Sequence, residues 1–190
     1  MIVIGRMALG SPPSGFNFAR TGKGQEGEWI VTEDPSADDG RAIEQISTDQ
    51  SGYRFPLAIH DSLSAANIEV TLRFKAIAGK VDQAGGIAVR LADPDNYYVA
   101  RANALEDNVR FYRVVNGRRE LLGGSDLKVT LREWHVLSLR AEGDRFTVSY
   151  DGEALFSVTD GTFDEAGGIA LWTKADSVTR FDRIRITVLP

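Results

Sequence analysis

The feature that most constrains this fold is a strict two-residue hydrophobic period, broken at short intervals by turn dipeptides. Over residues 67–78, Ile68, Val70, Leu72, Phe74 and Ala76 alternate with Glu69, Thr71, Arg73 and Lys75. That is the pattern of a strand with one buried and one wet face. Comparable runs are predicted at 28–33, 54–59, 85–92, 97–104, 108–115, 134–141, 145–150, 154–158, 168–173 and 181–188. Asp39-Gly40, Asn116-Gly117, Gly123-Gly124, Gly143-Asp144, Asp151-Gly152 and Asp160-Gly161 separate many of them. The Asp151-Gly152 pair, between Phe146/Val148/Tyr150 and Ala154/Phe156/Val158, supplies the positive φ angles of a two-residue type I′ hairpin. Residues 32–41 and 92–96 read as loops, and only short helical turns are predicted, near 61–66 and 162–165. Short strands punctuated this regularly form an antiparallel sandwich or barrel.

One phrase occurs twice, Ala84-Gly85-Gly86-Ile87-Ala88-Val89-Arg90 and Ala166-Gly167-Gly168-Ile169-Ala170-Leu171-Trp172. Alternation assigns Ile87, Val89 and Leu91, and likewise Ile169 and Leu171, to a core face, and sends Arg90, Trp172 and Lys174 to the opposite face. The expectation is a sheet that displays cationic and aromatic groups outward.

At 190 residues the chain suits one all-β domain, large enough to bury roughly 70% of its unfolded surface without staples. It has no cysteine, which excludes a disulfide framework and thiolate metal sites. The net charge of −5 argues against a nucleic-acid partner, and no stretch approaches the length of a membrane span. Seventeen of the 22 basic residues are Arg, whose planar fork of donors suits carboxylates and polyols. Residues 1–14 are read as an N-terminal extension or the remnant of a signal peptide, and 15–190 as a single domain. Periplasmic or secreted and cytoplasmic locations both stay open, as does the oligomeric state.

Together the segments resemble the concanavalin A-like lectin/glucanase superfamily, and within it the bacterial 3-keto-disaccharide hydrolase, or glycoside-hydrolase-family-16-like, domains. The residues that carry the resemblance are Gly27-Glu28-Trp29, Asp82-Gln83-Ala84-Gly85-Gly86-Ile87, Asn96-Tyr97-Tyr98-Val99-Ala100-Arg101-Ala102-Asn103, Leu105-Glu106-Asp107-Asn108-Val109-Arg110, Trp134-His135, Asp151-Gly152, Ala170-Leu171-Trp172-Thr173-Lys174-Ala175-Asp176 and Phe181-Asp182. The resemblance implies an antiparallel jelly-roll β-sandwich of two sheets, with ligands met on a concave face. The superfamily also holds laminin-G-like interaction modules, so fold alone does not assign chemistry.

Retaining glucanases of this superfamily carry Glu-x-Asp-x-x-Glu or Glu-x-Asp-x-Glu on one strand, so that two carboxyls face the cleft about 5 Å apart. Neither pattern occurs here. A hydrolase would have to assemble its acids across strands, from Glu106, Asp107 and Asp176. The denser constellation is an outward set of Arg90, then Arg101 and Asn103, then Asn108, Arg110 and Tyr112, with Tyr98, Ala100, Ala102, Val109 and Phe111 facing the core. Trp172 is expected to stack on a pyranose and Lys174 to make a polar contact. The competing reading has the arginines paired with Glu69, Glu106 or Asp176 across the sheet.

His135 is expected to be sheet-facing and hydrogen-bonded, His60 to lie in an exposed loop, and Trp29 and Trp134 to pack at the sandwich edge. No serine sits in a Gly-x-Ser-x-Gly elbow and no histidine pair has zinc spacing. Asp93-Pro94-Asp95-Asn96 offers oxygens to calcium but reads equally as a plain turn. The expected function is recognition of a saccharide on the concave sheet. The alternatives are a glycoside hydrolase acting on a 3-keto-disaccharide or related glycoside, and a laminin-G-like protein-interaction module.

Overall fold

A computed structural model describes the whole chain, Met1–Pro190, and contains fourteen strands and no helix. In chain order they are β1 (Phe16–Gly22), β2 (Trp29–Glu33), β3 (Arg41–Gln45), β4 (Arg54–His60), β5 (Ile68–Ala78), β6 (Ala84–Asp93) and β7 (Asn96–Asn103). They continue as β8 (Asn108–Val115), β9 (Arg118–Asp126), β10 (His135–Glu142), β11 (Arg145–Tyr150), β12 (Glu153–Thr159), β13 (Gly168–Trp172) and β14 (Val178–Val188). Two antiparallel sheets of seven strands pack face to face, one ordered β1-β4-β13-β6-β7-β8-β9 and the other β12-β11-β10-β5-β14-β3-β2. The fold is the jelly-roll β-sandwich that the alternation and the resemblance imply.

Every predicted run is a strand, and Asp151-Gly152 closes the β11–β12 hairpin with φ of 48° and 86°. Three strands escape the pattern. β3 is buried on both faces, so it does not alternate; β9 contains Gly123-Gly124 and a register shift; β1 is a half-buried edge. The short helical turns predicted near 61–66 and 162–165 do not form. Ala65 instead exchanges backbone hydrogen bonds with Gly167, at 3.0 and 3.3 Å.

The main core lies between the sheets. Val70, Leu72 and Phe74 of β5, Leu137 and Leu139 of β10 and Phe146 of β11 meet Ile87, Val89, Tyr98, Ala100, Val109 and Phe111. Tyr98 and Phe111 pack on Phe146 with ring centroids 4.4 and 5.0 Å apart. The predicted inward set of β7 and β8 is all here. The segment before β1 joins in: Ile4 is buried in this core and the Ile2 amide donates to Ile184 O. Gly10 and Val31 amides bond across to Val31 O and Ser11 O, which covers the open edge of β2.

A second apolar cluster fills the other face of the β1–β9 sheet, built from Phe55, Leu57, Ala88, Leu91, Tyr97, Val99, Val114, Ala170 and Trp172. It is dry because the sheet curls over it. β4 and β9 stand second and seventh in the sheet, about 24 Å apart if it were flat. Yet the Arg119 amide of β9 donates to the hydroxyl of Tyr53, the residue before β4, at 2.8 Å. Likewise the Thr21 hydroxyl on β1 donates to Pro94 O at 2.6 Å and shares a 2.7 Å bond with Tyr97 OH at the β6–β7 hairpin. This is the concave face of the sandwich, and much of it is a core in its own right.

Candidate functional site

Two predicted ligand contacts are corrected by the curl and by a bulge. Trp172 does sit on the concave face, in register with Leu57 and Gly86, but it is 0% exposed. Its ring stacks on Phe55 at 5.2 Å, and its indole N–H donates to Tyr97 OH at 3.1 Å. No pyranose can reach it. Arg90 adopts φ of 50° at a break in the β6–β7 register, which reverses the alternation beyond it. Leu91 therefore joins the concave cluster instead of the main core. The buried Arg90 guanidinium lies over Phe146 and clamps the carbonyls of Ala66 (2.9 Å), Phe163 (2.7 Å) and Gly143.

The remaining predicted residues converge where the β7–β8 turn, the β5–β6 loop and the β13–β14 turn meet. Antiparallel register pairs Arg101 with Arg110 and Asn103 with Asn108, so all four side chains share the concave face with Tyr112. Asn103 accepts the amides of Leu105 (2.9 Å) and Glu106 (3.2 Å), an Asx-type turn that fixes the loop bearing Glu106. Its amide group donates in turn to Asp82. Arg101 forks onto Asn108 Oδ1, Glu106 Oε2 (2.9 Å) and Tyr112 OH (3.2 Å). Lys174 pairs with Asp82 and stands 4.0 Å from Glu106 Oε1. Arg110 pairs with Asp126. It lies flat over β9 because Gly124 has no side chain: a Cβ there would come within 2.4 Å of Arg110 Cδ. A groove of about 410 Å³ runs on from Arg110, with Leu121, Gly124 and Asp126 in its lining.

Glu106 is the acid that Arg101 and Lys174 share, with a side chain 41% exposed against 3% for Arg101. Burial pushes its carboxyl up, but the Arg101 and Lys174 charges, with hydrogen bonds from Asn108 and Arg101, outweigh burial and hold it below the usual glutamate range. It is a standing carboxylate, the opposite of a general acid kept protonated near neutrality. The other two candidate acids are engaged by loop contacts. Asp176 is buried and accepts the amides of Lys80 (2.8 Å), Val81 (3.0 Å) and Asp82 (3.1 Å), so it shapes the β5–β6 loop. Asp107, at φ 50°, accepts the Val129 amide and pairs with Lys128, both at 3.0 Å. Those contacts lower its pKa and tie it to the next loop. Replacing Asp176 with Ala is expected to lower the melting temperature by several degrees, since three backbone donors lose a buried acceptor; thermal denaturation followed by circular dichroism reads it.

Sequence reasoning missed two contributors. Asp82 precedes the first Ala-Gly-Gly-Ile phrase and carries no motif of its own, yet it anchors both Asn103 and Lys174. Arg119 lies over Tyr112 and Phe55, 4.2 and 5.0 Å from the ring centroids; its two-residue spacing from Leu121 was the available signal. Elsewhere, His135 bonds Asp151 (2.9 Å) and Thr130 O (3.2 Å) as expected. His60 ends β4, half-buried against Phe16. The Asp93 carboxylate, considered for calcium, accepts Asp95 N (2.8 Å) and Asn96 Nδ2 (3.0 Å) within its own turn. Trp29 is buried in the main core. Trp134 departs from the expected edge packing: it is half-buried, with Arg73 and Lys75 within 4.9 Å of its ring and its indole N–H on Ser36.

No protein-family model matches the chain. Among solved structures it is similar to the carbohydrate-binding module CBM66 from Bacillus subtilis, with a TM-score of 0.70 and 21% identity over 91% of this chain and 96% of that one. It is also similar to a Bacillus licheniformis β-glucanase, at TM-score 0.61 and 11% identity over 96% of both chains. These likenesses establish the jelly-roll β-sandwich fold. Among curated proteins, levanase of Bacillus subtilis (strain 168) is 28% identical over 81 residues, 42% of this chain and 12% of the levanase. The match thus spans about an eighth of that relative.

Proposed function

We propose that the protein is a carbohydrate-binding module that holds a saccharide at the Glu106–Lys174–Arg101–Arg110 corner of the concave face. The observation that carries this is a solvent-accessible carboxylate, Glu106, set between the Arg101 guanidinium and the Lys174 ammonium. Glu106 accepts hydrogen bonds from sugar hydroxyls while Lys174 and Arg110 donate to neighbouring oxygens, the alternation of acceptor and donor that a vicinal diol needs. Asn103, Asn108, Arg101 and Asp82 hold those groups in place, and Tyr112 forms the adjoining aromatic wall. The groove along β9 leaves room for further sugar units, within the usual range for a ligand site. The partial likeness to a levanase makes levan the first polymer to try, alongside uronic acids and 3-keto sugars.

A hydrolase acting on a 3-keto-disaccharide has less support, because Asp107 and Asp176 are consumed by backbone amides and Glu106 cannot serve as a proton donor near neutrality. A laminin-G-like partner surface is not favoured by any specific contact here.

Replacing Glu106 with Gln is expected to weaken saccharide binding about 10- to 100-fold, the worth of one charge-assisted hydrogen bond, with the fold intact. Because its pKa is depressed, wild-type binding should persist from neutrality down through the ordinary glutamate range and fall only below it, as Glu106 gains a proton. Affinity electrophoresis and calorimetry over a glycan panel, with product release followed on the same samples, test both points. Unchanged affinity in the variant would remove Glu106 from the site, and product release would restore the hydrolase reading.

A further inference from the structure

Every cation of the binding corner is less exposed than an acid it faces. The Arg101 side chain is 3% exposed and that of Lys174 18%, against 41% for the Glu106 they share, and Arg110 is 22% exposed against 82% for Asp126. The register that sets Asn108 opposite Asp126 and Arg110 opposite Gly124 puts Asp126 on the same concave face as Arg110. There its Oδ1 accepts from Arg110 Nη2 at 2.5 Å, and no protein donor takes Oδ2. At Glu106, Arg101 and Asn108 both donate to Oε2, whereas Oε1 stands 4.0 Å from Lys174, beyond hydrogen-bond range. The uncommitted acceptors of the corner are therefore two carboxylate oxygens, Glu106 Oε1 and Asp126 Oδ2, which accept and do not donate when ionised. Lys128, by contrast, is more exposed than its acid, 73% against 42% for Asp107, but belongs to the loop after β9.

We propose that the site selects uncharged saccharides and that Asp126 is the residue that turns anionic ones away. The proposal rests on the carbohydrate reading and narrows it to neutral sugars. Two open acceptors need donors, and sugar hydroxyls supply them. An acidic substituent supplies acceptors only: reaching Lys174 brings it beside Glu106, and reaching Arg110 brings it beside Asp126. Like charges that close repel, and a binding site can reject a ligand by such repulsion as well as by fit. Asp126 also lines the groove of about 410 Å³ along β9, so an acidic group on a second sugar unit meets it there. The net charge of −5 adds a long-range effect of the same sign.

The test is calorimetry on the full chain with matched pairs of oligosaccharide fractions: levan and carboxymethyl levan, dextran and dextran sulfate, methyl-esterified homogalacturonan and its de-esterified acid. The wild-type protein is expected to bind the neutral member of at least one pair on the order of tenfold more tightly than its anionic partner. Its affinity for that neutral member should hardly change with salt. Asp126→Asn should narrow the preference about three- to fivefold, the worth of one exposed charge contact, because Arg110 then meets the acidic group unopposed. Glu33→Gln removes an exposed acid at the end of β2, in the other sheet; it controls for net charge and should leave the preference as it is. Asp126 is itself so exposed that its replacement does not threaten the fold. An anionic member bound as tightly as its neutral partner, a preference unmoved in Asp126→Asn, or one narrowed equally by Glu33→Gln overturns the proposal and leaves the carbohydrate reading standing. Failure of every probe to bind ends both.

Discussion

Replacing Arg54 with Met is expected to cost about 3–5 kcal/mol of stability, because a fully buried guanidinium that several loops share leaves its partners unsatisfied when removed. Arg54 is 0% exposed. Its fork donates to Gln25 O (2.6 Å), Glu26 O (3.0 Å), Ala175 O (2.6 Å) and the Ser47 hydroxyl (2.7 Å). Methionine fills a comparable volume but offers no donor, so those four oxygens lose a shared partner, and the Ala175 carbonyl loses it in a buried place. At roughly 2–4 °C per kcal/mol for a domain of this size, the melting temperature should fall by about 10 °C. Lysine should recover only part of this, since an ammonium cannot span the same fork. Saccharide binding should fall too, because Ala175 sits between Lys174 and Asp176 in the turn that Arg54 holds. Thermal denaturation followed by circular dichroism gives the answer; a shift of less than about 2 °C would mean that the three loops are anchored by something else.

Replacing Trp172 with Ala is expected to be comparably damaging, about 3–5 kcal/mol, for a different reason. The ring occupies the middle of the concave cluster against Phe55, and its removal leaves a cavity that the curled sheet cannot collapse into. Tyr97, whose buried hydroxyl is pushed up to about 12 chiefly by desolvation, loses one of its two side-chain partners, keeping Thr21. Urea denaturation should show a lower midpoint with the slope unchanged. Trp172→Phe should lose less, since a ring still meets Phe55. Intact stability combined with abolished saccharide binding would return Trp172 to a ligand-stacking role.

The fates of Trp172 and Tyr112 show how far alternation can be read. Both were expected on the face opposite the main core, and both are there. Period-two geometry depends only on the chain's own pleat, so it assigns a face reliably. Whether that face is wet is a different matter. Trp172 is sealed because residues 66 positions apart, Tyr53 and Arg119, are brought together by the curl, whereas Tyr112 stays half-buried at the margin. Arg90 was misplaced for a smaller reason: a single residue at φ 50° shifts the alternation, and an arginine at that position does not announce a bulge.

The same division runs through the candidate site. The alternating runs, the Asp151-Gly152 hairpin and the common face of Arg101, Asn103, Asn108, Arg110 and Tyr112 follow from the sequence alone, because each depends on local backbone preference and side-chain period. The roles of the acids do not. Asp176 became a loop anchor, Asp107 a turn residue and Glu106 a carboxylate shared by two cations only once distant amides and cations had been packed against them. Asp82 and Arg119 gained their importance the same way. Local chemistry fixes where a side chain points, and the tertiary fold decides what it meets there, because burial, charge pairing and sheet curvature all arise from contacts between segments far apart in the chain.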